Sequence, residues 1–335
     1  MGSIDLTDVV AVTSALVDID STTGREGDVV LWVATLLSQA GYEVLEQVVQ
    51  GSRRNLYAAF GQADVVFSTH LDCVPPFFPS KLAGERLYGR GSCDAKGAAA
   101  SQIAALEKLR RQGMTNVGLL LVVGEERGSD GAKLAQALAS GSKYLINGEP
   151  TDNRLGVATR GILRVNLRAA GRAAHSSFPE LGESAIEKLL DALVALRTID
   201  LPDHSVMGRT HYTVGVISGG VAPNVIPASA MAEVMFRTVG DLPAVRNSLK
   251  SLEQWVTVEE VLEVPPVTMP SVPGFETAAF PYTTDIPFLS KWGTPLLFGP
   301  GSINVAHTDE EHVHVAELHK AVDGYVRLAT HLLNR

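Results

Sequence analysis

Histidine and aspartate follow a short apolar run of this sequence at a spacing that could bind a metal ion. His70 and Asp72 come directly after the β-branched, apolar run 64–69. Residues two apart in a strand face the same side of a sheet, so the two side chains can point into one cleft. An aspartate there can hold the ring of a metal-binding histidine in one tautomer. The spacing indicates a metal site, and a hydrogen-bonded core histidine is the alternative.

Four further carboxylates lie at the ends of apolar runs or in a turn. Glu125 and Glu126 follow the run 117–123, Glu149 follows the run 144–146, and Asp94 lies in a glycine-rich turn before an alanine-rich stretch. Of two neighbouring glutamates, one can bind a metal while the other takes a proton from water on that metal. A solvated surface pair is the alternative, but the buried run that precedes Glu125 disfavours it.

His307 adds a second imidazole in the C-terminal part of the chain. Two histidines, two glutamates and an aspartate suit two divalent ions about 3.5–4 Å apart that share a carboxylate and a water. Imidazole with carboxylate favours zinc, cobalt or manganese over calcium.

Cys73 and Cys93 flank ligand positions, but without a CxxC pattern we interpret them as buried small hydrophobic residues. We interpret His312 and His314 as solvated histidines, because the segment TDEE that precedes them resembles an exposed approach to a helix.

The elements that must position these groups alternate between strands and helices. Apolar, β-branched runs predict strands at 42–49, 55–60, 64–70, 117–123 and 144–146. Helical spacing of apolar residues predicts helices at 6–19, 26–40, 96–112 and 131–139. This alternation predicts an α/β domain with a mostly parallel sheet flanked by helices. Ligands bind outside the carboxyl ends of the strands in such sheets, so the candidate groups are expected to converge there.

The segment 157–263 has a different order of elements. Its pattern predicts strands at 162–170, 211–218, 230–237 and 256–262, and helices at 183–197 and 242–254. The order β-α-β-β-α-β is that of the ferredoxin-like split unit. The α/β pattern resumes with a helix near 286–292, a strand at 295–298 and a helix at 315–333. We therefore predict one domain built from 1–156 and 264–335 and an inserted α+β domain at 157–263.

Composition narrows the class of protein. The chain has 335 residues, which is longer than a single hydrophobic core usually stabilises, so two domains are expected. The net charge of −9, without a basic block, disfavours nucleic acid or an anionic membrane surface as a partner. No apolar run approaches the ~20 residues of a membrane span. Two cysteines and an N-terminus without a signal-peptide pattern predict a cytoplasmic location.

Seven motifs together carry a resemblance to a known family. In chain order they are STHLDCVPP, GRGSCDAKG, VGEERGSDG, NGEP, GRAAHSS, APNVIPASA and FGPGSINVAHTDEEHV. This ordered set resembles the dinuclear-zinc aminoacylase/carboxypeptidase family, which includes acetylornithine deacetylase, succinyl-diaminopimelate desuccinylase, aminoacylase and glutamate carboxypeptidase. The resemblance covers essentially the whole chain. It implies a zinc-exopeptidase-like catalytic domain interrupted by a ferredoxin-like lid, through which the chain is expected to form a homodimer.

The resemblance also implies a ligand set. Two zinc ions are expected, for which cobalt can substitute, with Asp94 as the bridging ligand. His70 and Glu149 would complete one metal site, and Glu126 and His307 would complete the other.

Further residues acquire roles from the same resemblance. Asp72 would support His70 from outside the ligand set, and Glu125 would be the general base. His175 would reach the active site of a partner subunit and stabilise the oxyanion. The substrate carboxylate would be held by Asn224, Arg237, Gly301 and Ser302.

The implied reaction is hydrolysis of the amide bond of an N-acyl amino acid. The segments GPGSINVAHTDEEHV and CDAKGAAA most resemble the acetylornithine and acetylcitrulline deacetylases of arginine synthesis, or the related lysine-pathway deacylases. The desuccinylase is the next alternative, and a dipeptidase or carboxypeptidase shares all of the chemistry. A metal-free homologue that only binds ligands stays open as a different class of protein.

Overall fold

The computed structural model describes residues 4–139 and 141–334 and divides the chain into two compact units. The first unit comprises Met1–Val157, Met269–Ala278 and Thr284–Arg335, and the second comprises Ala158–Thr268 and Ala279–Thr283. The predicted insertion ended at 263. The second unit extends to 268 because residues 267–268 pair as a strand with residues 158–159.

Helices and strands alternate in the N-terminal part of the chain, as the apolar patterns predict. The helices there are α1 Val9–Val17, α2 Gly27–Gln39, α3 Lys96–Arg111 and α4 Asp130–Ala135. The strands are β1 Glu43–Gln50, β2 Arg53–Ala59, β3 Val65–His70, β4 Lys81–Ala83, β5 Arg86–Tyr88, β6 Val117–Val122, β7 Tyr144–Asn147 and β8 Leu155–Thr159. The Asp8 carboxylate accepts a hydrogen bond from the Ala11 N–H, which caps α1 and explains why this helix begins later than predicted.

The elements of the second unit follow the predicted β-α-β-β-α-β order, with short strands added. They are β9 Gly161–Ala170, α5 Ala185–Leu196, β10 Asp203–His204, β11 Gly208–Arg209, β12 His211–Gly219, β13 Ser229–Thr238, α6 Leu242–Leu249, β14 Thr257–Val264 and β15 Val267–Thr268. The main sheet is antiparallel in the order β12-β13-β9-β14. This is the strand order of a ferredoxin-like unit, so the predicted fold of the insertion is confirmed.

The C-terminal part returns to the first unit and departs from the prediction in two places. Its elements are β16 Thr277–Phe280, β17 Thr294–Leu297, β18 His312–His314 and α7 Val315–Leu333. The helix predicted near 286–292 is instead two 3-10 turns, Ile286–Phe288 and Ser290–Trp292, with Pro287 in the first and Gly293 directly after the second. His312 and His314 were predicted to be solvated, but they lie half-buried in a strand that pairs with β5.

The sheet of the first unit is mixed, with parallel strands at its centre. Its order is β1-β2-β6-β3-β7-β17-β8, and β16 also pairs with β8. Strand β3 runs parallel to β6 and β7, and β17 runs parallel to β7, whereas β1, β2 and β8 pair in antiparallel fashion. The predicted α/β class is therefore confirmed, with antiparallel strands at both margins of the parallel centre.

Both faces of this sheet are covered, which explains the continuous apolar runs of the central strands. Val65 and Phe67 of β3 pack into the cluster that contains α1, α2, α3 and α7, whereas Val66 packs with Trp292 and α4 on the other face. All six residues of β3 and of β6 are buried. None of the helices in the described ranges is both long and apolar enough to cross a lipid bilayer.

Candidate metal centre

Three neighbouring parallel strands end at the candidate centre. In the register of the sheet, His70 at the end of β3 pairs with Val122 of β6, and Ser68 pairs with Asn147 of β7. The segments that leave β6 and β7 therefore begin beside His70. They carry Glu125, Glu126 and Glu149 at the same edge of the sheet, where a parallel sheet binds its ligands.

The first group of potential ligands contains His70, Asp94 and Glu149, all buried. The Nε2 atom of His70 lies 3.1 Å from Asp94 Oδ1 and 4.0 Å from Glu149 Oε2. The other ring nitrogen, Nδ1, lies 3.0 Å from the backbone oxygen of Asp72. A proton on Nδ1 would be donated to that oxygen, which leaves the Nε2 lone pair free to bind a cation.

The second group contains Asp94, Glu126 and His307. The Nε2 atom of His307 lies 2.8 Å from Glu126 Oε1 and 3.3 Å from Asp94 Oδ2. Asp94 therefore offers one carboxylate oxygen to each group. Within each group the potential ligand atoms all lie within 4.8 Å of one another. Imidazole and carboxylate in this arrangement fit two divalent ions that share one ligand.

The protein charges shift the pKa values of these groups. Hydrogen bonds to Asp94 and Glu126 raise the pKa of His307 to about 10. Burial would raise the pKa of Asp94, but hydrogen bonds from His307 and His70 hold it below its ordinary value. Burial raises the pKa of Glu149 well above its usual range. The two histidines thus neutralise only part of the negative charge of the clustered carboxylates, and bound cations would neutralise the rest.

Glu125 lies beside these groups without belonging to either. Its side chain makes no hydrogen bond or ion pair with any other residue in the described part of the chain. Burial raises its pKa well above the usual value, against the charge of His70, and the carboxylates of Asp285 and Glu149 raise it further. A carboxylate whose pKa is raised in this way is a stronger base than an ordinary glutamate and can accept a proton and return it.

Asp72 was predicted to support His70, and its carboxylate accepts three backbone N–H groups from the segment that follows β6. Its Oδ1 accepts the N–H groups of Gly124 at 2.9 Å and Glu125 at 3.1 Å, and its Oδ2 accepts the N–H of Glu126 at 3.2 Å. His70 Nδ1 lies farther from the Asp72 carboxylate, at 3.5 Å, than from the Asp72 backbone oxygen. The carboxylate therefore mainly holds the 3-10 turn Glu125–Arg127, which presents both glutamates.

Three of the predicted site residues lie in the second unit. His175 forms an isolated β-bridge with Val225, and the neighbouring Ser176 N–H donates to the Asn224 backbone oxygen at 3.0 Å. His175 and Asn224 are therefore close together on adjacent, exposed loops. Arg237 lies at the end of β13, opposite His211. Its guanidinium is half-buried and makes no hydrogen bond or ion pair with another described residue, and burial lowers its pKa.

Gly301 and Ser302 lie in the first unit. Gly301 adopts φ +82°, and its backbone oxygen accepts the N–H of Asp152 at 2.8 Å. Ser302 pairs with Thr151 in an isolated bridge. Both cysteines are fully buried and free, and Cys93 Sγ lies 3.4 Å from the Ser302 backbone oxygen.

The sequence patterns did not point to three groups that surround the centre. Asp285 is buried, and burial raises its pKa to about 6. Arg90 and Glu311 form a buried ion pair behind Asp94. Glu311 lies within the segment TDEE, whose acidic composition suggested exposure, and Arg90 lies within GRGSCDAKG. Both residues lie in motifs that carry the family resemblance, and this membership is the feature of the sequence from which their importance could have been inferred.

The chain matches the family model described as peptidase family M20/M25/M40 over residues 66–331. The chain belongs to this family. A peptidase M20 domain-containing protein of Schizosaccharomyces pombe is 37% identical, over 97% of this chain and 85% of its own length. A probable carboxypeptidase of Aspergillus clavatus is 36% identical, over 96% of this chain and 81% of its own length.

Solved structures resemble this M20 chain in fold. The aminopeptidase PepT of Bacillus cereus has a TM-score of 0.82 at 20% identity and covers 99% of this chain and 100% of its own. A dinuclear metal-binding M20 peptidase of Bacillus subtilis has a TM-score of 0.75 at 15% identity and covers 98% of each chain. The protein is therefore an M20 metallopeptidase, a hydrolase whose two ligand groups fit a dinuclear site.

Proposed function

We propose that this M20 protein hydrolyses the amide bond that joins a C-terminal amino acid to the rest of a small peptide. The observation that carries the proposal is the sharing of Asp94 between two ligand groups, His70 with Glu149 and Glu126 with His307, beside a carboxylate that binds to neither. Such a site suits the attack of water on an amide carbonyl.

Each ion would have three protein ligands. His70, Asp94 and Glu149 would hold one, and Asp94, Glu126 and His307 would hold the other. When bound, such ions supply Lewis acidity, which polarises the carbonyl of the scissile amide and makes water more acidic. The imidazole and carboxylate donors favour zinc, and cobalt prefers the same donors and can substitute.

Glu125 would be the general base and then the general acid. It would take a proton from the attacking water and deliver the proton to the leaving amine nitrogen. The product amine then departs as a neutral group. The other product is a carboxylic acid, which loses its remaining proton to solvent and leaves as a carboxylate. The pKa of Glu125, which burial raises, supports both steps, because a raised pKa makes the carboxylate a stronger base and stabilises the protonated form that returns the proton.

Residues of the second unit would bind the substrate. The Nδ1 atom of His175 accepts the N–H of Ser177 at 3.2 Å, so the neutral ring carries its proton on Nε2, where it could donate to the developing oxyanion. Arg237, with an unpaired guanidinium, would hold the substrate α-carboxylate. Asn224 of the second unit, with Gly301 and Ser302 of the first unit, would assist it. The second unit would act as a lid and pair two chains into a homodimer.

The acyl side of the substrate separates two candidate activities. The motif resemblance favours an N-acetylated amino acid of arginine or lysine synthesis, as in the acetylornithine deacetylases. Curated relatives at 36% and 34% identity are probable carboxypeptidases, which favours a peptidyl group over an acetyl group. We adopt the peptide substrate, since the relatives match over nearly the whole chain. Cleavage next to a free C-terminal carboxylate is common to both activities.

A panel of substrates tests the proposal. Protein stripped with a chelator and reloaded with zinc or cobalt is assayed on free dipeptides, N-blocked dipeptides, dipeptide amides, and N-acetyl and N-succinyl amino acids. Hydrolysis of free or N-blocked dipeptides, with dipeptide amides resistant, supports the proposal; cleavage of N-blocked dipeptides further indicates a carboxypeptidase. Cleavage of the acylated amino acids alone would establish a deacylase instead. Protein that binds no metal and hydrolyses none of the substrates would favour the metal-free homologue that only binds ligands.

A further inference from the structure

Arg90 and Glu311 form an ion pair inside the first unit, outside both ligand groups. Glu311 is fully buried and Arg90 is 1% exposed. The Arg90 Nη1 atom donates to Glu311 Oε2 at 2.6 Å. The two charges compensate each other where water cannot reach them, so each depends on the other for its solvation.

The second oxygen of the Glu311 carboxylate binds the loop that carries Asp94. Glu311 Oε1 accepts the N–H groups of Gly91 at 3.0 Å, Cys93 at 3.2 Å and Asp94 itself at 3.1 Å. The Glu311 backbone oxygen also accepts the N–H of Gly89 at 3.1 Å. The loop from 89 to 94 therefore wraps around one carboxylate.

Arg90 is fixed on its other side as well. Its Nε donates to the Pro76 backbone oxygen at 3.2 Å, and its guanidinium lies 5.0 Å from the centroid of the Phe78 ring. The Arg90 N–H donates to the Phe78 backbone oxygen at 3.1 Å. These contacts hold the guanidinium in one place, so the Glu311 carboxylate has one preferred position.

The position of the Asp94 carboxylate decides whether both ligand groups exist. Asp94 Oδ1 lies 3.1 Å from His70 Nε2, and its Oδ2 lies 3.3 Å from His307 Nε2. A shift of the Asp94 backbone would move both oxygens together. His307 lies in the same segment as Glu311. The Glu311 carboxylate therefore links the segment that supplies His307 to the loop that supplies Asp94, the two ligands that meet in the second group.

We propose that Glu311, held by Arg90, is a positioning residue that makes the binding of both metal ions depend on one buried carboxylate. The inference rests on the proposed dinuclear site. Glu311 does not touch an ion itself. It acts by fixing the backbone of Asp94, the ligand that the two sites share.

The Glu311→Gln substitution tests this dependence at nearly constant volume. All the groups around the Glu311 carboxylate are donors, and an amide offers one oxygen where the carboxylate offers two. The NH₂ of the glutamine would face either Arg90 or the loop N–H groups. Loss of such outer contacts commonly costs about 10–100-fold in metal affinity, and we expect that loss at both sites.

Two further variants make the readout specific. Glu107 of helix α3 is also a buried carboxylate, 2% exposed, which accepts hydrogen bonds from Arg110 and Arg111 of the same helix and from Tyr42. Glu107→Gln therefore removes a comparable buried charge away from the site and serves as the matched control. Glu149→Gln alters a ligand of one group only, so it should weaken one ion and spare the other.

The measurement is a calorimetric titration of cobalt into chelated protein, with the cobalt absorption bands recorded in parallel. We expect two ions in the wild type and in Glu107→Gln, and weaker binding of both in Glu311→Gln. Folded Glu311→Gln that binds both ions with wild-type affinity and spectrum would overturn the inference, as would the loss of one ion only. If Glu311→Gln does not fold, Glu311→Asp, which retains the charge but withdraws it by one methylene, is judged by the same two outcomes. A wild-type protein that binds no ion would instead overturn the proposed function.

Discussion

At the scale of single residues, Glu125 differs from the four other acidic groups of the centre. Asp72, Asp94, Glu126 and Glu149 each accept hydrogen bonds or lie among potential ligands, whereas Glu125 does neither. The Glu125→Gln substitution should lower kcat by roughly 10²–10⁴-fold, because the amide of glutamine cannot take up the proton from water and pass it to the leaving amine. Both ions should stay bound. The checks are kcat and metal content by plasma emission spectrometry.

The ligand Glu126 provides the control for that experiment. Glu126→Gln should lose metal as well as activity, because its Oε1 lies within the second ligand group. Metal loss in Glu125→Gln, or activity near the wild-type level, would contradict the assignment of the base.

His307 gives a prediction about pH. Its pKa of about 10 means that, with only protein groups around it, the ring is protonated at neutral pH. A histidine must lose that proton to bind a metal. Metal binding at pH 7 should therefore release protons, and the apparent affinity should rise with pH up to about 10. Calorimetry in two buffers of different ionisation enthalpy measures the release; equal heats in both buffers would refute the prediction.

At the scale of elements, glycines let backbone segments approach closely around the centre. A Cβ atom at Gly97, at the start of α3, would lie 2.4 Å from the Ser92 backbone oxygen in the turn that carries Asp94. A Cβ atom at Gly131, in α4, would lie 2.2 Å from the backbone oxygen of Val123, directly after β6. Such contacts place the helices against the strand ends and so fix the loops that lie between them.

Helix α7 offers a stability test of the same kind. A Cβ atom at Gly324 would lie 2.3 Å from Phe298 Cζ, and that ring is enclosed edge-on by Phe275 and Tyr325. Alanine in place of glycine gains about 1 kcal/mol of helix propensity, but overpacking a core costs roughly 1–3 kcal/mol. Because the ring has no room to move, Gly324→Ala should lower the stability by about 1–2 kcal/mol.

Urea-induced unfolding measures the effect of Gly324→Ala. Lys320→Ala, at an exposed position of the same helix, is the control and should change the free energy of unfolding by less than about 0.5 kcal/mol. A Gly324→Ala variant more stable than the wild type would mean that the Phe298 ring yields more readily than its neighbours imply.

At the scale of the whole molecule, the predicted catalytic groups are divided between two units. Glu125 and the ligand groups lie in the first unit, and His175 lies in the second. If His175 acts across a homodimer, mixing Glu125→Gln with His175→Ala after subunit exchange should restore activity. One site of each mixed dimer would carry both defects and the other would carry neither, so activity should approach half of the wild type per mixed dimer.

The mixing experiment requires proof of exchange, for example by differently tagged chains. His175→Ala alone should lose about 10²–10³-fold in kcat, the effect of removing one oxyanion donor. No recovery despite proven exchange would mean that His175 acts within its own chain or that the protein functions as a monomer.

The ends of β3, β6 and β7 could be predicted from the sequence because the signal is local. A buried parallel strand needs an apolar run, and a polar group directly after that run marks its carboxyl end. His70, Glu125 and Glu149 were located in this way. The order of elements also predicted the ferredoxin-like unit. These features depend on residues that are neighbours in the chain.

Features that depend on distant residues were decided by the tertiary structure. Glu311 looks exposed within TDEE, but it is buried because Arg90 and the loop N–H groups satisfy its carboxylate across more than 200 residues of sequence. Strand β18 exists because β5 supplies its hydrogen-bonding partner. Asp72 binds the turn after β6 because parallel pairing aligns the ends of β3 and β6. A buried charge or an isolated short strand is stable only beside its partner. That partner lies far away in the sequence, so a local sequence pattern cannot identify it.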